Sequence, residues 1–377
     1  MSSVSPAAAS GGLLEYSVVY TDRALNHMSS AFQAVMCDIS AILKEAYQAH
    51  SAIIVPGSGT FGMEAVARQF AAGKKCLVIR NGWFSYRWSQ IFEMGNIPAE
   101  TVVLKARPAE TGRQAAFAPP PIGEVTAAIR EQKPALVFVP HVETASGIIL
   151  PDAYLKAVAE AVHAVDGLFV LDCIASGAMW VDMASLGIDI LLSAPQKSWS
   201  APPCGAFVML GARARERIET TTSSSFAADL RKWLQIMETY EKGGHAYHAT
   251  PPTNALAAAV EAMRETRDWG FAQTRAAQAE LGARVRALLA GRGFKSVAAE
   301  GFAAPGVVVS YTDDADIHSG KKFIAQGLQT AAGVPLMCDE PADFRTFRIG
   351  LFGLDKLRHI ERSVQRLEDA LDRIANA

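Results

Sequence analysis

The stretch LLSAPQKSWSAPPCGAFVML runs from Leu191 to Leu210. It opens at the end of one apolar run, IDILLS from Ile188, and closes on another, AFVML from Ala206. Between them lies a turn crowded with Pro195, Pro202, Pro203 and Gly205. Two strands joined this tightly are expected to run antiparallel. One lysine, Lys197, stands in the turn. Partial burial there would lower its pKa and make it a better amine nucleophile toward a carbonyl. The plain alternative is a lysine on a surface loop.

Upstream, short apolar runs alternate with helical patterns. AIIV at Ala52, KCLVI at Lys75, TVVLKA at Thr101, ALVFV at Ala135 and LFVLD at Leu168 read as buried strands. Segments 63–72, 123–131 and 153–165 read as helices between them. This alternation predicts an α/β fold with a mostly parallel central sheet and helices on both faces. From about Asn254 the texture changes to long Ala/Arg/Glu-rich helices. Leu281, Val285, Leu288 and Leu289 share one helical face, and Leu357, Ile360, Val364, Leu367, Leu371 and Ile374 form an apolar stripe on the last helix. GVVVSY at Gly306 and TFRIGLF at Thr346 are candidate strands between these helices. The expected organisation is an N-terminal arm over 1–23, flexible at its start, a large domain over 24–253 and a smaller α+β domain over 254–377. KARPAETGRQAAFAPPPIG, from Lys105, reads as an exposed loop.

Bulk properties narrow the function classes. Half of the 377 residues are hydrophobic and a fifth are charged, the proportions of a soluble globular protein. A formal charge of −2 gives no general attraction to nucleic acid or anionic membranes. Cys37, Cys76, Cys173, Cys204 and Cys338 are scattered without C-x-x-C spacing, so neither a zinc site nor a disulfide framework is expected. The first dozen residues lack the layout of a signal peptide, and no apolar segment is long enough to span a bilayer. A cytoplasmic protein without a metal is the expectation.

Three further features carry chemistry. IIVPGSGTFGMEAV, from Ile53, holds a literal G-x-G-x-x-G at Gly57, Gly59 and Gly62. A strand-to-helix turn of this kind binds phosphate through free N–H groups and the positive end of the helix. A dinucleotide would also need an acid at the end of the next strand, where Arg80 and Asn81 stand instead. No G-K-[ST] follows, so a P-loop is excluded too. Asp172 ends the apolar strand GLFVLD; it can pair with a protonated aromatic nitrogen or cap the segment that follows. Asp172 and Lys197 end successive strands, so in a parallel sheet both point into one crevice. Arg348 lies within an apolar run, where it can grip a carboxylate with two hydrogen bonds or snorkel at a sheet edge. A phosphate cradle, an imine-forming lysine and a carboxylate for a pyridinium nitrogen together describe a site for pyridoxal 5′-phosphate (PLP). The arginine adds an amino-acid substrate.

With these residues the chain resembles the class V aminotransferases of PLP fold type I, the group of alanine–glyoxylate, serine–pyruvate and 2-aminoethylphosphonate–pyruvate transaminases. PGSGTFGMEA, NGWFSYRW, HVETASGIILP, LDCIASGA, SAPQKSWSAPPCGA, YHATPP and FRIG carry the resemblance, in the family's order and spacing. The resemblance implies that Ser58, Gly59 and Thr60 contact the PLP phosphate and that Phe84, or its neighbour Trp83, stacks on the ring. It places Thr144 near the ring hydroxyl, Asp172 on the ring nitrogen, Lys197 in the Schiff base, and Gln196 facing the cofactor. It implies that Tyr247 and Thr250 reach the phosphate of the partner subunit, which makes the homodimer part of the active site. Arg348 would hold the substrate α-carboxylate. One region departs: where relatives carry a PGP-like turn lining the substrate pocket, this chain has Tyr20 to His27. Arg23 there can meet a second acidic group of a substrate or pair with Asp22.

The implied reaction moves an amino group from a small amino acid, of the alanine or serine type, to glyoxylate or pyruvate, with Lys197 as general base. An aminoethylphosphonate or aspartate-type donor is the alternative within the class. A PLP lyase or cysteine desulfurase is a rival within the fold, opposed by Gln196 where those relatives place His.

Overall fold

The computed structural model describes residues 13–376. The opening stretch MSSVSPAAASGG, expected to be floppy, lies outside the described residues. Seven strands form the central sheet: β1 (Ser51–Pro56), β2 (Lys75–Arg80), β3 (Glu100–Lys105), β4 (Leu136–Pro140), β5 (Leu168–Asp172), β6 (Ile190–Ser193) and β7 (Gly205–Leu210). Their spatial order is β1-β7-β6-β5-β4-β2-β3. β7 runs antiparallel to both neighbours, as the proline-rich turn demanded, and the other neighbouring pairs are parallel.

Every residue of β4, β5, β6 and β7 is buried. Side chains alternate between the faces of a strand, so both faces of the sheet are covered. The covering helices include α1 (Ser30–Tyr47), α2 (Gly59–Val66), α3 (Trp83–Gly95), α4 (Ile122–Gln132), α5 (Asp152–His163) and α6 (Leu230–Glu241). α1 and α6 lie against β1, α2 against β7, α3 against β2, and α5 against β5. β3 departs from the expectation of a buried strand: it is the sheet edge, paired only with β2, and its residues are exposed or half-buried. The helix expected over 63–72 begins at Gly59 and ends in a π turn, Ala67–Ala71.

Later in the chain come α7 (Thr253–Trp269), α8 (Phe271–Gly291) and a three-stranded antiparallel sheet of β8 (Val307–Tyr311), β9 (Ala331–Ala332) and β10 (Thr346–Gly350) in the order β8-β10-β9. The C-terminal stripe is not one helix. Leu357 belongs to a short helix, Leu354–Arg358, and His359, at φ −130° and ψ 58°, breaks it from α9 (Ile360–Ala375). The stretch from Lys105 is also less exposed than expected. Arg107–Pro108 pairs with Phe117–Ala118, and Phe117 is buried with its N–H on the Val297 carbonyl.

The glycines of the β1–α2 turn have separate jobs. Gly57 sits at φ +122°, a conformation that L side chains rarely adopt. Gly62 lets α2 lie directly on β7, because a Cβ there would collide with the Cβ of Ala206. Gly62→Ala is therefore expected to destabilise the fold by about 1–3 kcal/mol, read as a lower denaturant midpoint with an unchanged m-value.

Candidate active site

The carboxyl ends of β5 and β6 face the amino end of α2. Asp172 is the last residue of β5 and stands in register with Leu192 of β6. Lys197 follows β6 in the one-turn helix Pro195–Ser198, which Pro195 starts and the Ala201 N–H to Pro195 carbonyl bond closes. Strand order thus brings together two residues that are 25 positions apart in the chain.

Eight of the residues expected in the site line one cleft of about 530 Å³: Ser58, Gly59, Thr60, Phe84, Thr144, Asp172, Gln196 and Lys197. Phe84 faces the cleft, whereas Trp83 is absent from its lining and packs against Tyr86. The Lys197 Nζ lies 5.7 Å from the centre of the Phe84 ring and 5.9 Å from that of Phe352. Burial lowers the Lys197 pKa, an effect that Asp172 partly offsets and that Arg348 reinforces. A depressed ammonium pKa raises the fraction of free amine at neutral pH. Burial likewise pushes the Asp172 carboxyl up to about 6, against the pull of the Ile174 N–H and of Lys197. Asp172 also accepts that N–H at 2.9 Å, so the carboxylate braces the following turn while it faces the cleft.

The cradle is built at the start of α2. Gly59 and Thr60 are its first two residues, whose N–H groups have no partner within the helix. Ser58 is the N-cap residue, yet its hydroxyl caps nothing. A Cβ on Gly59 would stand 2.7 Å from Ile174 Cδ1, so any larger residue there would push the Ile174 side chain aside. The Thr144 Oγ1 is buried without a hydrogen-bond partner among the described residues. A buried hydroxyl left without a partner costs free energy. These donors without protein partners fit a phosphorylated ligand with a polar ring.

Arg348 stands on β10, half-buried and outside the ring of cleft-lining residues. Its Nε donates to the Ala332 carbonyl at 2.8 Å, and the guanidinium lies 5.5 Å from the centre of the Phe84 ring. Its Nη groups have no hydrogen-bond partner among the described residues. Arg345, just before the strand, is exposed and donates from its Nη1 to the Asp313 carbonyl. Tyr247 and Thr250 do not reach this cleft. They are exposed and hydrogen-bond each other at 2.8 Å. The Tyr20–His27 segment lies along the chain just after them: Leu25 N–H bonds Asn254 Oδ1, Asn254 Nδ2 bonds the Arg23 carbonyl, and the His27 ring lies 5.4 Å from that of Tyr247. Asp22 and Arg23 form no ion pair with each other among the described residues.

Two residues escaped the sequence reading. Glu143 is fully buried and accepts from Phe84 N–H, Ser85 N–H, Ser85 Oγ and Ala145 N–H. A carboxylate at the start of α3 suits the helix dipole and fixes where Phe84 points. Arg87, one turn into α3, lines the cleft and donates to Thr60 Oγ1 at 3.0 Å. A second cleft, of about 420 Å³ and between Pro108 and Arg345, holds charges that pair among themselves, Arg113 with Asp313 and Asp343.

Comparison with known proteins identifies the family. The Aminotransferase class-V family model matches residues 9–337. The chain belongs to the class V aminotransferase family. It is 28% identical to alanine–glyoxylate aminotransferase 1 of Saccharomyces cerevisiae over 64% of this chain and 63% of that protein, so the match spans less than two thirds of the yeast relative. It is 28% identical to the 2-aminoethylphosphonate–pyruvate transaminase of Syntrophobacter fumaroxidans over 91% of this chain and 89% of that one. The crystal structure of alanine–glyoxylate aminotransferase from Nostoc sp. superposes with a TM-score of 0.79 at 21% identity, covering 93% of this chain and 89% of that one. The fold is therefore that of the class V enzymes.

Proposed function

We propose that the protein is a PLP-dependent transaminase that moves an amino group from a small amino acid, of the alanine or serine type, to glyoxylate or pyruvate. The observation that carries this reading is the meeting of Lys197 and Asp172 in one cleft beside the glycine cradle at the start of α2. Bound PLP supplies an aldehyde that condenses with amines and a ring that accepts electrons from the substrate Cα. Ser58, Gly59 and Thr60 would hold its phosphate, Phe84 its ring face, Thr144 and Gln196 its polar edge, and Asp172 its ring nitrogen. Asp172 keeps a proton on that nitrogen, which in a dry cleft needs an anion beside it. Lys197 would tether the cofactor and, as a free amine, would serve as the base that takes up and delivers the substrate Cα proton. Arg348 orients the donor by gripping its carboxylate through the free Nη groups.

The same reading assigns Tyr247 and Thr250 to the phosphate of a partner subunit in a homodimer. Their exposure, and their distance from the cleft of their own chain, support that assignment. It places the arm over 1–23, the large domain over 24–253 and the small domain over 254–377; the seven-stranded sheet ends at Leu210 and the three-stranded sheet begins at Val307. It places the protein in the cytoplasm, supported by five free cysteines. An aminoethylphosphonate donor is the second reading, supported by the match to the Syntrophobacter enzyme. A desulfurase is disfavoured because Cys338 is buried and its thiol pushed up to about 12 by burial.

Donor specificity tests the assignment of Arg348. Arg348→Met is expected to lower kcat/KM for alanine in the donor half-reaction by about 10²–10³-fold, mostly through KM. An amine lacking an α-carboxylate should be unaffected. Equal losses for both donors would show that Arg348 does not bind the carboxylate.

A further inference from the structure

The cleft has a charge problem that the glycine cradle alone does not solve. A phosphate monoester carries about −1.5 to −2 charges at neutral pH. The start of α2 offers a partial charge of roughly +0.5. Lys197 is committed to the carbonyl chemistry, and its ammonium is weakened by burial. The cleft contains one other basic residue, Arg87.

Arg87 has the marks of an anion anchor. No carboxylate lies within ion-pair distance of it among the described residues. Its Nη1 is tied at 3.0 Å to the hydroxyl of Thr60, the second residue of α2, so the guanidinium is held at the cradle end of the cleft. Its Cζ lies 5.3 Å from the centre of the Phe84 ring, which gives it a second support. A half-buried guanidinium braced by a neutral hydroxyl and an aromatic face has no carboxylate in contact, and Asp172 of the same cleft feels its charge only at a distance. Arg348, by contrast, stands on β10 with its Nε tied to Ala332 of β9, and is the cation available to the substrate.

Resting on the transaminase reading, we propose that Arg87 binds the cofactor phosphate and supplies the full positive charge that the cradle lacks. Thr60 then has two tasks, offering its N–H to the phosphate and its hydroxyl to the guanidinium that flanks it.

Binding of PLP and of pyridoxal, which lacks the phosphate, separates this role from others. Both ligands are titrated into cofactor-free wild type, Arg87→Met and Arg87→Lys. Melting of each protein is also followed with and without inorganic phosphate. In wild type, PLP is expected to bind far more tightly than pyridoxal. Arg87→Met should weaken PLP by about 10–100-fold and leave pyridoxal within about twofold. It should also abolish the rise in Tm that inorganic phosphate gives the wild type. Arg87→Lys, which keeps the charge, should fall between the two. Equal weakening of both ligands would mean a structural role and would overturn the proposal. Unchanged PLP affinity with a raised KM for the amino donor would overturn it in favour of substrate binding. A wild type that binds neither ligand would bring down the transaminase reading itself, a result distinct from either.

Discussion

Lys197→Ala is expected to fold normally and to lose transaminase turnover by at least about 10⁴-fold. Two contributions disappear together. The covalent tether that loads the cofactor is one, and the positioned base that moves the Cα proton is the other; proton transfer by a positioned group is worth about 10²–10⁴ on its own. The residue sits in a short turn held by backbone bonds and not by its side chain, so the fold should not depend on it. Removing a buried amine relieves a desolvation cost. Far-UV circular dichroism and the denaturant midpoint check the fold, and single-turnover kinetics check the chemistry. A small primary amine added to the solution should restore part of the proton-transfer rate. Normal turnover by Lys197→Ala would remove this residue from the mechanism.

Asp172→Asn is expected to act in opposite directions on activity and stability. Activity should fall by about 10²–10⁴-fold, because a neutral amide cannot hold a proton on the ring nitrogen. Stability of the cofactor-free protein should rise at pH 8. The Asp172 carboxyl sits at about 6 in the fold against an ordinary 3.8. Between those values the folded state binds the proton more tightly than the unfolded chain. Stability therefore falls as pH rises through that window, and the full penalty is present above it. A shift of about two units corresponds to about 3 kcal/mol at most. Asparagine keeps an oxygen for the Ile174 N–H and removes the charge. Denaturant melts of both apoproteins at pH 4 and pH 8 measure the effect: the gap should be near zero at pH 4 and largest at pH 8. A gap that is the same at both values would mean that burial of this carboxylate is not the cause.

The residues legible in the sequence were those that break a local rule. Asp172 and Lys197 are charges at the ends of apolar strands, and Arg348 is a charge within one. The glycines at 57, 59 and 62 leave the strand pattern abruptly. Each is a local conflict between composition and context, which is why the pattern exposes it. Glu143 and Arg87 break no such rule. Glu143 stands in a mixed turn, and only the fold shows that it is fully buried against the start of α3. Arg87 lies between an aromatic pair on an amphipathic helix, where an arginine is ordinary. The choice between Trp83 and Phe84 required the phase of α3, which adjacent aromatic residues do not reveal. Edge position in the sheet was hidden as well: β3 carries an apolar Val-Val-Leu run that reads like a buried strand, and its exposure follows from strand order. The break at His359 lies inside an unbroken apolar repeat.

The central claim is a covalent one and can be read directly. The purified protein is loaded with PLP, treated with borohydride to fix any imine, digested, and its peptides mapped by mass. The account requires the added pyridoxyl group to fall on the peptide that contains Lys197, stoichiometric with protein and absent from Lys197→Ala. A label spread over several surface lysines, or no fixed label in a protein that nevertheless transaminates, would contradict it.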